Sequence, residues 1–170
     1  MDTSYYREHR ADLCVIGGGL AGMTAAIAAA RHGCRVVLMQ DRPVLGGNCS
    51  SEIRMWPLGC HEGWNREAGI LEELQLENLY RNPQKNYSLW DSVLYGAVLA
   101  EKNIELLLNC TCQEAQMSAP DRIGAVVGWQ LTTYTRCRVE AAFFADCSGD
   151  SILSFLTPAA FRQGREAASE

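Results

Sequence analysis

The segment Val15-Ile-Gly-Gly-Gly-Leu-Ala-Gly22 constrains this chain more than any other. It sets Gly17-x-Gly19-x-x-Gly22 between the apolar run Asp12 to Ile16 and the small-residue stretch Leu20 to His32. A short continuous apolar run that ends in glycine reads as a buried parallel strand. The Ala-rich stretch reads as a helix, with Gly33 as its stop. Arg35 to Met39 is a second apolar, β-branched run, so a β-α-β unit closes within about 30 residues. Each glycine has its own task. Gly17 permits the tight turn, Gly19 lets backbone approach a pyrophosphate, and Gly22 lets helix and strand pack closely. The helix N-terminus, with Gly18, Leu20 and Ala21, offers N–H groups and a positive dipole end to phosphates. An acid normally ends the second strand and takes the ribose hydroxyls. Here Gln40 stands at that place and Asp41 follows. Gln40 can accept from a hydroxyl without supplying charge. Asp41 serves instead if the strand end shifts by one residue, and otherwise it is a turn former.

The remaining chain is read more coarsely. A Gly-rich loop covers Arg42 to Trp56, and Cys60 to Asn65 is irregular. A helix is expected over Glu67 to Tyr80, with Ile70, Leu71 and Leu74 on one face. Asn82-Pro83 breaks it. Asp91 is expected to N-cap a helix reaching Lys102, with Leu94, Ala97 and Val98 inward. Ile104 to Leu108 is a third strand. Cys112 to Met117, Ile123 to Gln130 and Tyr134 to Glu140 read as an antiparallel meander, with a turn at Ala119-Pro120-Asp121. Ala142 to Cys147 reads as a further buried strand that turns at Ser148-Gly149-Asp150. The polar residues 1–10 are expected to be disordered. Residues 11–170 then form one α/β domain: a Rossmann-like FAD/NAD(P)-binding fold, its parallel sheet carrying an inserted antiparallel β-meander.

Composition narrows the partners. The chain has 170 residues, 48% of them hydrophobic and 21% charged, enough for one sizeable core. Fifteen glycines and five prolines are too few for a collagen-like or disordered chain. Fifteen basic residues against 20 acidic, a net charge of −5, give no basic track for a phosphate backbone, so no nucleic-acid partner is expected. No apolar run is long enough to span a bilayer, and MDTSYYREHRAD lacks the apolar stretch of a secretory signal. A cytoplasmic location follows as the expectation, and the eight cysteines are then read as reduced thiols.

The fingerprint alone does not separate NAD from FAD. Asp41-Arg-Pro-Val-Leu-Gly-Gly-Asn48 resembles the stretch after the second strand in FAD-dependent oxidoreductases, and Ala145-Asp-Cys-Ser-Gly-Asp150 resembles a later motif of the same two-dinucleotide-fold flavoproteins. The longer run Gln40 to Arg54, together with Asn78-Leu-Tyr-Arg-Asn-Pro83, Trp90-Asp91 and Ala160-Phe-Arg-x-Gly164, is similar to a mostly uncharacterised bacterial family of that class. The resemblance runs from about Asp12 to the end of the chain. It implies bound FAD, redox chemistry on a small organic molecule, and contacts to the cofactor from Arg42, Gly46, Gly47, Asn48, Gly149 and Asp150. It also implies that the chain is the N-terminal portion of a longer enzyme, incomplete at its C-terminus, with its catalytic residues unassigned.

Other constellations carry less. Cys49 stands where flavin disulfide reductases place their first redox cysteine, but the usual partner position holds Arg54, which leaves Cys60. A small buried thiol is the simpler reading of Cys49. Cys49, Cys60 and His61 match no zinc or iron–sulfur spacing, and no metal is expected. Glu52 and Arg54 read as a loop ion pair or as substrate contacts. His61 is a loop histidine or a proton carrier. Trp56, Trp64 and Trp90 read as core, with the lining of a pocket as the alternative. Besides an FAD-dependent oxidoreductase, three readings stay open: a disulfide reductase using Cys49, an NAD(P)-binding dehydrogenase module, and a truncated remnant without turnover.

Overall fold

The computed structural model describes residues 6–58 and 68–165. Cys60, His61 and Trp64 lie outside them. The elements are β1 (Tyr6–Ile16), α1 (Leu20–Arg31), β2 (Val36–Met39), α2 (Gly69–Arg81), α3 (Tyr87–Ala100), β3 (Ile104–Leu107), β4 (Cys110–Ala119), β5 (Arg122–Gln130), β6 (Thr135–Asp146) and α4 (Ile152–Leu156). The strands form one sheet in the order β3-β2-β1-β6-β5-β4. β1 pairs in parallel with β2 and β6, and β2 with β3, whereas β4, β5 and β6 run antiparallel.

Alternation along the parallel strands builds two cores. Val15, Val36 and Leu38 face α1 and α3, against Met23, Ile27, Trp90 and Leu94. Cys14, Ile16, Val37 and Met39 face the meander side, against Cys110, Cys112, Cys137 and Val139. The seven described cysteines are free thiols, and four of them belong to this second core.

Three expectations change. Residues 6–10 are not frayed: β1 starts at Tyr6 and pairs with β6 from Tyr6↔Arg136 onward. Ion pairs from Glu8 to Arg138 at 2.9 Å and from Arg10 to Glu140 at 3.4 Å accompany this ladder. The charged sequence hides the strand because its partner is equally charged. Tyr134 to Glu140 and Ala142 to Cys147 are one strand, because Ala141 pairs with Ala11 without a break. This strand both closes the meander and extends the parallel sheet. Its far end is not buried, since β5 pairs only as far as Glu140 and Phe143 is 73% exposed. Finally, α3 begins at Tyr87 rather than Asp91. Asn86 is its N-cap, and its side chain accepts from Ser88 N–H at 2.8 Å and Leu89 N–H at 3.4 Å.

A histidine–carboxylate contact links β1 to β3. His9 Nδ1 lies 2.9 Å from Glu105 Oε1. The neighbouring Cys137 and Glu105 raise the His9 pKa. The neighbouring Cys110 thiol and His9 hold Cys137 below the ordinary thiol value. The sign of the stability effect follows. Between its lowered pKa and the ordinary thiol value of 9.0, the unfolded chain keeps a proton at Cys137 that the folded chain has lost, so stability rises with pH there. Above about pH 6.5, the ordinary histidine value, His9 works in the opposite sense, because the folded chain holds a proton that the unfolded chain releases. Urea midpoints are therefore expected to climb with pH on the acid side of about pH 6.5 and then flatten. Cys137→Ala is expected to remove the climb.

Candidate functional site

The site lies at the carboxyl ends of β1, β2 and β6, where open α/β sheets bind ligands. β1 runs into Gly17, which stands at φ +101 and donates its N–H to Met39 O at 2.8 Å. A Cβ there would meet Cys147 O at 2.3 Å. A Cβ on Gly22 would meet Gly17 O at 1.9 Å. These two glycines let β1, β6 and α1 close on one another. Gly19 differs. It is the N-cap of α1, with no capping side chain and no acid in the first turn. A Cβ there would meet nothing nearer than Gly47 Cα at 4.0 Å. The first-turn N–H groups of α1 thus stand at a gap, with the positive end of the helix behind them.

The far side of that gap is a second glycine loop. Gly46 N–H donates to Gly18 O at 2.8 Å, and Gly46 stands at φ +103. A Cβ on Gly47 would come within 3.1 Å of Gly19 Cα. On the Gly47 side the loops approach too closely for a side chain, whereas the Cβ direction of Gly19 stays open. Gln40 ties them together. It is 3% exposed, its Oε1 accepts from Gly18 N–H at 2.7 Å, and its Nε2 donates to Val44 O at 3.0 Å. Asp41, next along, is exposed at the rim.

The resulting cavity measures about 630 Å³. It brings together Gly17, Gly19, Leu20 and Ala21; Gln40, Asp41 and Arg42; Gly46, Gly47 and Asn48; and Gly149 and Asp150. Gly18 and Gly22 stand behind the wall, as brace and packing contact. The turn after β6 is shaped by Asp146, whose carboxylate accepts from Ser148 N–H at 3.1 Å, Ser148 Oγ–H at 2.6 Å and Leu153 N–H at 2.7 Å. Glu52 pairs with Arg42 at 3.4 Å rather than with Arg54, whose Nε–H donates to Ser51 O. Cys49 also lines the cavity, and burial raises its pKa. Cys110, Thr111 and Cys112 of β4 form a wall that the sequence did not reveal as such. The only signal was the Cys-x-Cys spacing that turns both thiols to one face.

Together, the parallel sheet and the glycine-walled cavity at its carboxyl end define a dinucleotide-binding α/β protein. Residues 12–170 match the family described as FAD dependent oxidoreductase, and the chain belongs to that family. It is similar to a soluble pyridine nucleotide transhydrogenase from Marinobacter nauticus, 49% identical over 43 residues, which cover 25% of this chain and 9% of that enzyme. It is also similar to a dihydrolipoyl dehydrogenase from Manduca sexta, 51% identical over 49 residues, 29% of this chain and 10% of that one. A quinol fumarate reductase from E. coli shares the fold, with a TM-score of 0.62 at 14% identity over 83% of this chain and 33% of that one. The matched segments thus span a small part of the curated relatives. FAD is the cofactor of the family, and the cavity fits it: the gap at Gly19 is bare of side chains, and a capless helix end faces it.

Proposed function

We propose that this chain is the FAD-binding portion of a longer oxidoreductase that acts on a small organic molecule in the cytoplasm. The observation that carries the reading is the contact of two glycine loops at the open end of α1, which leaves N–H groups and no side chain where a pyrophosphate would lie. Gly17, Gly19, Leu20 and Ala21 would hold the phosphates, with Gly18 and Gly22 shaping the turn from behind. Asp41 would take the ribose hydroxyls, because both arms of the Gln40 amide already serve the loops. Arg42, Gly46, Gly47 and Asn48 would form the second wall, and Gly149 and Asp150 the third. Bound FAD would supply hydride and electron transfer, while the protein supplies binding and orientation. Among the described residues no helix is long and apolar enough to cross a membrane. The matched segments span only 9% and 10% of the two curated relatives, which supports placing the substrate pocket outside residues 11–170. The likeness to dihydrolipoyl dehydrogenase does not favour a dithiol mechanism here, since burial pushes the Cys49 thiol up, away from the reactive thiolate.

Titration with FAD and with NAD separates the dinucleotides: FAD binds, and NAD does not displace it. Two neighbouring variants separate ligand from brace. Asp41→Ala is expected to weaken FAD binding about 30-fold, as for a charge-assisted hydrogen bond of roughly 2 kcal/mol, with the urea midpoint unchanged. Gln40→Ala is expected to cost about 3 kcal/mol of stability, because Gly18 N–H and Val44 O lose their partner.

A further inference from the structure

One face of α3 grips the loop that forms the second wall of the cavity. Leu94 Cδ1 would lie 2.6 Å from a Cβ on Gly46, so that glycine is seated directly on the helix. The Trp90 indole N–H donates to Cys49 O at 2.9 Å. The Asp91 carboxylate accepts from Ser51 N–H at 2.9 Å. The Tyr87 hydroxyl donates to Arg54 O, at a residue that stands at φ +65. Trp56 stacks on Tyr87 with ring centroids 4.5 Å apart and leans on Trp90 at 5.9 Å. Tyr87, Trp90, Asp91 and Leu94 share one helical face by their spacing. The loop's own structure is a three-residue 3-10 turn at Gly47–Cys49 and two turn bonds, from Arg54 N–H to Ser50 O at 2.8 Å and from Met55 N–H to Asn48 O at 3.0 Å.

We propose that Trp90 and Asp91 are positioning residues for the cofactor: they fix the backbone of Cys49 and Ser51 so that Gly46 to Cys49 stay against Gly19. This rests on the reading that the cavity takes FAD. The ties are polar and directional, and they end on the backbone of the wall. An apolar contact would bury the loop without setting its position along the cavity. A carboxylate on one N–H and an indole N–H on one carbonyl set both its height and its rotation. This accounts for the Trp90-Asp91 pair, whose carboxylate is not the N-cap of α3 and whose indole is fully buried.

The test compares wild type, Asp91→Ala, Asp91→Asn and Trp90→Phe in the 170-residue chain. Asp91→Asn keeps an oxygen for Ser51 N–H, and Trp90→Phe keeps a ring without the donor. Asp91→Ala and Trp90→Phe are expected to raise the FAD dissociation constant about tenfold, and Asp91→Asn to restore most of it. In the apo chain, labelling of Cys49 by a small maleimide, followed by peptide mass, is expected to quicken about tenfold in Asp91→Ala, as the loss of one hydrogen bond would allow. Half-buried Cys34, ahead of the amino end of β2 and so across that strand from the loop, serves as the reference thiol. If Asp91→Ala fails to fold, Trp90→Phe carries the same comparison. A wild-type chain that takes up no FAD overturns the cofactor reading and leaves the maleimide rates to judge the loop hold. FAD affinity that stays at the wild-type value in folded Asp91→Ala and Trp90→Phe overturns the proposal, whatever Cys49 does.

Discussion

Gly19→Ala is expected to give a folded chain that binds FAD about 100-fold more weakly, a loss of ~2.7 kcal/mol. The new methyl group meets no atom of the chain nearer than Gly47 Cα at 4.0 Å, so the fold has no reason to move. The backbone at Gly19, with φ −63 and ψ 176, suits any residue. Alanine is a poorer N-cap than glycine, which sets a stability cost below about 1 kcal/mol. The methyl does occupy the gap between the two glycine loops, where the phosphates are to lie. Isothermal titration with FAD, beside a urea unfolding curve, reads both effects on one preparation. Equal loss of affinity and stability would show that Gly19 is merely structural.

Gly22→Ala is expected to do the reverse, costing about 4 kcal/mol of folding stability. Its Cβ would stand 1.9 Å from Gly17 O, and that carbonyl cannot retreat. Gly17 is held from the other side by its N–H bond to Met39 O at 2.8 Å and by the backbone of Cys147. α1 would have to lift from β1 and β6 together, opening the core around Val15, Met23 and Ala26. A domain has only about 5–15 kcal/mol in total, so such a loss is visible as a lower urea midpoint and weakened far-UV circular dichroism. The two glycines of one motif thus separate by what a single methyl group touches: ligand space at Gly19, backbone at Gly22.

What the sequence disclosed was whatever depends on neighbours in the chain. The β-α-β unit and the glycine loops follow from apolar runs and from positions that admit no side chain. Their partners in space were hidden. Tyr6 to Arg10 read as a tail because the partners of its polar side chains, Arg138, Glu140 and Glu105, lie far off in sequence. Asp91 read as a helix cap because an acid ahead of an apolar stretch usually is one. Its true partner, Ser51 N–H, lies 40 residues away. Gln40 stood in the place of a ribose ligand, and nothing local showed its amide turning inward to Gly18 and Val44. The β4 wall was equally hidden, since its place depends on how the meander returns to the parallel strands.

The central claim is that this chain builds a site for FAD. The most direct measurement is the visible absorption spectrum of the purified chain after saturation with FAD and removal of the excess, with the chromophore then released by heat and identified. The account predicts a yellow protein that carries and releases FAD. A folded chain that stays colourless after this treatment would contradict it.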